Sequence, residues 1–113
     1  MVSQLLSTTL VGVDAHFVRV EVDLATGLPG VHLVGLPDTA VGESIYRVRS
    51  ALRSVDKPLP PRRVTVNLAP GDLRKEGPRF DLAIALGILG AGQHFPPESL
   101  EDSVVLGELS LDG

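Results

Sequence analysis

The stretch Arg62–Leu89, RRVTVNLAPGDLRKEGPRFDLAIALGIL, changes character twice, and the two changes decide the fold. In Arg63–Leu68 the apolar Val64, Val66 and Leu68 alternate with Arg63, Thr65 and Asn67. A period of two is the mark of a strand with one buried face. Ala69–Gly77 (APGDLRKEG) is built from turn formers and charges and reads as a loop. Pro78 follows at the kind of position where helices begin, because its fixed φ suits a first turn. Phe80–Leu89 (FDLAIALGIL) is then apolar on every side, with Asp81 as its only charge. Such a helix has to be covered on more than one face.

Upstream, Lys57-Pro58-Leu59-Pro60-Pro61 cannot continue a helix and so ends the one before it. That helix opens at Pro37-Asp38-Thr39, where Asp38 or Thr39 can cap an orphan N–H of the first turn. Val41, Ile45, Val48, Leu52 and Val55 give it one narrow apolar stripe. Glu43, Arg47, Ser50 and Ser54 lie opposite, and Tyr46, Arg49 and Arg53 form a flank. Leu5–Val13, Phe17–Leu24 and Val31–Leu36 read as three strands. They are joined by Asp14-Ala15-His16 and by Ala25–Gly30 (ATGLPG), which suggests an antiparallel meander. Downstream, Gly90–Pro97 breaks the second helix, and Ser103–Leu111 (SVVLGELSL) reads as a last strand. The expected order is β-β-β-α-β-α-β, an α+β fold of mixed layers with one sheet and two helices.

With 113 residues, 43% of them apolar, the chain suffices for one domain with one core. No apolar run approaches the roughly 20 residues of a membrane helix. The start, MVSQLLSTTLVGVDAHF, lacks the basic region and cleavage site of a secretory signal. There are no cysteines, which excludes disulfides and thiolate metal sites, and a cytoplasmic location is the default expectation. Nine of the ten Lys and Arg residues fall between Arg47 and Arg79, and from Phe80 onward there are acids and no base. A basic middle between acidic ends predicts a surface with a positive side.

Three kinds of site were weighed. No G-x-x-x-x-G-K-[ST] phosphate loop occurs, so no cofactor is expected in this chain. His16, His32 and His94 show no metal-ligand spacing, and Asp14 and Asp38 read as turn and cap residues. The loop Asp72–Arg79 stands out because Arg74, Lys75 and Arg79 bracket a helix start whose free N–H groups favour anions. Together with Arg49 and Arg53 they are the candidate contacts to DNA phosphate or to a neighbouring subunit. The plainer alternative is a solvated loop with weak surface ion pairs.

Three segments together carry a family resemblance: LVGLPDTAVGES at Leu33–Ser44, the stretch Arg62–Leu89, and VVLGELSLDG at Val104–Gly113. Over essentially its whole length the chain resembles the N-terminal domain of the magnesium-chelatase-like AAA+ ATPases, the ComM and YifB-like proteins. The resemblance implies a fold similar to the Lon protease C-terminal domain and to ribosomal-protein S-five domain two. It implies residues 1–113 as a single domain of a longer protein, continuing past Leu111-Asp112-Gly113 into an AAA+ module. ATP and magnesium would belong to that module. It also implies a homo-hexamer acting in ATP-driven DNA branch migration during natural transformation. In Lon-type domains a Ser follows a Gly-Pro pair at a helix start, whereas here Gly77-Pro78 is followed by Arg79. The expectation is therefore a non-catalytic auxiliary domain. The alternatives are a protein-interaction or oligomerisation module without DNA contact, and a degenerate Lon-like serine hydrolase.

Overall fold

The computed structural model describes residues 2–113. Strand β1 (Val2–Val11) and strand β2 (Asp14–Ala25) form a long antiparallel hairpin. Its turn is Gly12-Val13, with Gly12 at φ 63°, a left-handed value that glycine adopts without strain. The turn thus falls just before the expected Asp14-Ala15-His16 connection. Along β2, Val18, Val20, Val22 and Leu24 point into the core as their alternation predicts.

Strand β3 (Gly30–Val34) departs from the meander. It does not pair with β2. Helix α1 (Thr39–Ser54) carries the chain across, and strand β4 (Arg63–Ala69) returns parallel to β3 and antiparallel to β2. The sheet order is β1-β2-β4-β3. A parallel return needs a crossover of a dozen or more residues, and the helix supplies it. Short turns around β3 indicate that its neighbours are close, without saying which strand will fill the slot beside it.

Gly35, at φ 108°, lies hard against β4: a Cβ there would sit 2.2 Å from the Leu68 carbonyl oxygen. Helix α2 (Asp81–Ala91), entered through a 3-10 turn at Pro78–Phe80, lies over β1 and β2. Small residues let it approach closely. A Cβ on Gly87 would fall 2.6 Å from Cγ2 of Val22, and the Ser3 hydroxyl donates to the Gly87 carbonyl at 2.6 Å. Ala83, Ile84, Ala85 and Ile88 are buried, and Leu82, Leu86 and Leu89 are half-buried against the core, as the all-round apolar pattern requires.

One face of the sheet thus carries both helices, and the α+β class stands. The expected last strand is reduced to a single parallel bridge, Leu6 to Val104, with the Val105 N–H donating to the Leu6 carbonyl. From there the chain leaves the β1 edge to close over the start of α2. Gly107 donates to the Arg79 carbonyl and accepts from the Leu82 N–H. Among the described residues, no helix is long and apolar enough to cross a membrane.

Candidate nucleic-acid interface

The loop between β4 and α2 is sewn to the start of α1. Asp38 is the N-cap: one carboxylate oxygen accepts from the Val41 N–H at 2.8 Å, the other from the Gly77 N–H at 3.1 Å. Backbone bonds from Lys75 N–H to the Leu36 carbonyl and from Asp38 N–H to the Lys75 carbonyl complete the seam. This holds Lys75 inward. Its side chain is fully buried and its ammonium donates to the Pro70 carbonyl. Burial lowers its pKa from the ordinary lysine value, and Asp72 nearby opposes that shift only in part. The sequence reading grouped Lys75 with the surface cations; in the folded chain its charge is turned away from solvent, because the backbone on either side of it is bonded to residues 36–38.

The start of α2 is closed by the protein's own groups. Asp81, fully buried, is the acid of the first turn, where the helix dipole favours a negative charge. It takes two bonds from the Arg47 guanidinium, at 2.6 and 3.1 Å, and a third from the Leu109 N–H at 3.0 Å. Arg47 also reaches the Ala40 carbonyl, and its pKa is raised, chiefly by the bond to Asp81. Arg47 was expected on the wet side of α1; instead it points between the helices because a buried carboxylate awaits it. The two helix starts are therefore each occupied by a carboxylate, Asp38 and Asp81. A nucleotide triphosphate would meet these carboxylates where it needs free N–H groups, so neither helix start fits its phosphates. Beside them, exposed Arg74 makes a loose 3.6 Å pair with Glu76, and Arg79 is half-buried.

Arg49 and Arg53 lie elsewhere. At about 1.5 Å per residue they sit roughly 15 and 21 Å along α1 from Thr39, whereas the loop is fastened at the Asp38 end. The five candidate residues thus divide into two groups. Arg49 shares a cavity of about 260 Å³ with Pro60, Pro61 and Arg62. The same Pro60, Pro61 and Arg62 line a second cavity of about 400 Å³, with Lys57 and His94. Lys57 and Arg62 were not singled out from sequence. The signal was there: the prolines between them prevent a straight exit from α1 and fold both cations back beside it. The three histidines lie on β2, on β3 and in the turn after α2, and among the described residues no group of three ligating side chains gathers.

These features define a two-layer α+β module whose helix starts are sealed by its own carboxylates and which carries several unpaired cations at the far end of α1. The chain belongs to the family of subunit ChlI of Mg-chelatase, whose family model matches residues 20–113. It is 49% identical over 107 residues to the competence protein ComM of Haemophilus influenzae, covering 95% of this chain and 21% of that protein. It is 45% identical over 102 residues to the uncharacterized protein YifB of Escherichia coli, covering 90% of this chain and 20% of that protein. An uncharacterized protein of Mycobacterium tuberculosis is 48% identical over 107 residues, again 95% of this chain and 21% of the relative. The chain therefore spans about a fifth of the length of these relatives. The family expected from the sequence is the one found.

Proposed function

We propose that this domain is a non-catalytic auxiliary part of a competence-related AAA+ protein, serving DNA handling by an ATP-driven, ring-forming motor. The observation that carries this reading is the 49% identity to a competence protein over 95% of the chain. The sealed helix starts support it, since a domain that closes its own anion sites is suited to something other than nucleotide chemistry. In the whole protein ATP and magnesium would be bound outside residues 1–113, the motor would be a homo-hexamer, and the AAA+ module would be this domain's first partner.

The test compares the full-length gene product with a version lacking residues 1–113. ATP hydrolysis should persist in the shortened protein while DNA strand exchange or unwinding falls at least tenfold. Loss of basal ATP hydrolysis on deletion would make the domain part of the engine. Unchanged DNA processing would remove its DNA role.

A second reading, a pure protein-interaction module, is favoured by the tip of the β1–β2 hairpin, where Leu10, Val11, Val13 and Phe17 are exposed together. Alanine substitutions there that disrupt ring assembly without changing DNA binding by the assembled remainder would support it.

A further inference from the structure

We propose that the end of α1 and the proline turn after it form a basic surface for the phosphate backbone of a single-stranded nucleic acid, held by Arg49, Arg53, Lys57 and Arg62. The inference rests on the DNA-handling reading and gives it a surface different from the loop Asp72–Arg79.

The first support is charge left unused. The chain has more acids than bases, so a surface cation has ample opportunity to find a partner. Arg47 pairs with Asp81 and Glu43, and Arg74 pairs with Glu76. Among the described residues, the side chains of Arg49, Arg53, Lys57 and Arg62 make no ion pair and no hydrogen bond; Arg63 beside them is likewise unpaired, whereas unpaired Arg19 and Arg79 stand apart on β2 and before α2. Arg49, Arg53, Lys57 and Arg62 are all exposed. Like charges gathered without counter-charges repel one another, and an arriving polyanion relieves that repulsion. Asp56, beside Lys57, is the one acid in the turn itself.

The second support is shape. The cavities of about 260 and 400 Å³ both have Pro60, Pro61 and Arg62 in their walls, with Arg49 lining the first and Lys57 and His94 the second, so cations border two adjoining depressions. Proline walls keep them open with little entropy to lose on binding. Three of the four cations are arginines, whose planar forks match phosphate oxygens two at a time.

The third support is an aromatic in register. Tyr46, the only tyrosine, is 69% exposed and lies one helical turn before Arg49. At 100° per residue Tyr46, Arg49 and Arg53 share the outer arc of α1. A base can stack on the ring while the following phosphates meet the guanidinium groups, the combination used by sequence-tolerant single-strand binders. The cavity beside the β1 edge makes the contrast: it is of similar size, about 440 Å³, but Glu98 and Glu101 line it with a single Arg19.

The experiment titrates the 113-residue chain into a fluorescein-labelled thirty-mer of oligo-dT and into a duplex of the same length, from about 20 to about 200 mM salt. If all four cations meet phosphates, log affinity should fall against log salt with a slope of roughly −2.8, at about −0.7 per contact on a single strand. The variant R49A/R53A/K57A/R62A should lose at least tenfold in affinity and flatten that slope, with its thermal unfolding midpoint unchanged because the four side chains are exposed. Tyr46→Ala should weaken oligo-dT binding with the slope retained, and Arg74→Ala/Arg79→Ala should leave both unchanged. Four results overturn the inference: no binding by the wild-type chain at low salt, an unchanged slope in the quadruple variant, tighter binding to duplex than to oligo-dT, or binding of poly-glutamate as tight as oligo-dT. None of these bears on the domain-deletion experiment, which tests the DNA-handling role by itself.

Discussion

Lys75 and Asp81 show how much of this fold depends on single buried charges. A lysine whose pKa is lowered by burial binds its proton less readily folded than unfolded. Stability must then rise with pH as the alkaline range approaches the ordinary lysine value of about 10.4. Lys75→Met removes that titration. Urea midpoints measured from about pH 7 to about pH 10 should move in favour of the wild type, relative to the variant, as pH rises. A constant gap between the two would mean that Lys75 reaches water. Asp81 is a buried carboxylate that accepts from the Arg47 guanidinium and from the Leu109 N–H. Asp81→Asn strands the guanidinium, and breaking a buried pair in this way costs about 3–5 kcal/mol. Removing both charges, as Arg47→Met with Asp81→Leu, should recover part of that loss in chemical denaturation. A double variant no better than Asp81→Asn would show that the Leu109 and Ala40 contacts, and not the ion pair, hold the helices together.

At the scale of elements, α2 was legible because its apolar residues leave no polar face, and burial on all sides is the only stable outcome. Its distance from the sheet was not legible. Gly87 reads as a weak helix residue, yet it sets how closely α2 meets Val22. Gly87→Ala should improve helix propensity by about 1 kcal/mol and still destabilise the protein, since overpacking a core costs about 1–3 kcal/mol. Ile84→Ala, at a fully buried site, should cost about 2–5 kcal/mol, and half-buried Leu86→Ala less. Equal losses at the two positions would mean that α2 is covered more evenly than the packing indicates. The sequence shows where helix α1 runs and narrows its cap to Asp38 or Thr39, of which Asp38 is the one used, but it does not show the helix's faces. Ser44 and Ala51 are buried, whereas Val55, read as part of the stripe, is 53% exposed. Small residues go in where a neighbouring helix comes close, a fact about the neighbour that α1 does not encode.

For the whole molecule, the nine cations of the basic middle part company: Arg47 and Lys75 turn inward, Arg74 is loosely paired on the loop with half-buried Arg79 beside it, and Arg49, Arg53, Lys57, Arg62 and Arg63 are exposed without an ion pair. Without a phosphate loop, and with Arg79 after Gly77-Pro78, the purified chain should show neither ATP hydrolysis nor peptidase turnover. Activity that co-purifies with it and disappears on mutating the loop Asp72–Arg79 would require another account of that loop. The sequence by itself determined the strands β1, β2 and β4, both helices, a cap at Asp38 or Thr39 and the family, because period, capping chemistry and motif are local properties of a chain. The tertiary structure decided that β3 lies beside β4, that the segment after Ser103 bridges β1 only once before covering α2, and which cations remain free. Those outcomes depend on which buried carboxylate, carbonyl or strand edge comes within reach, and that is set by residues far apart in the chain.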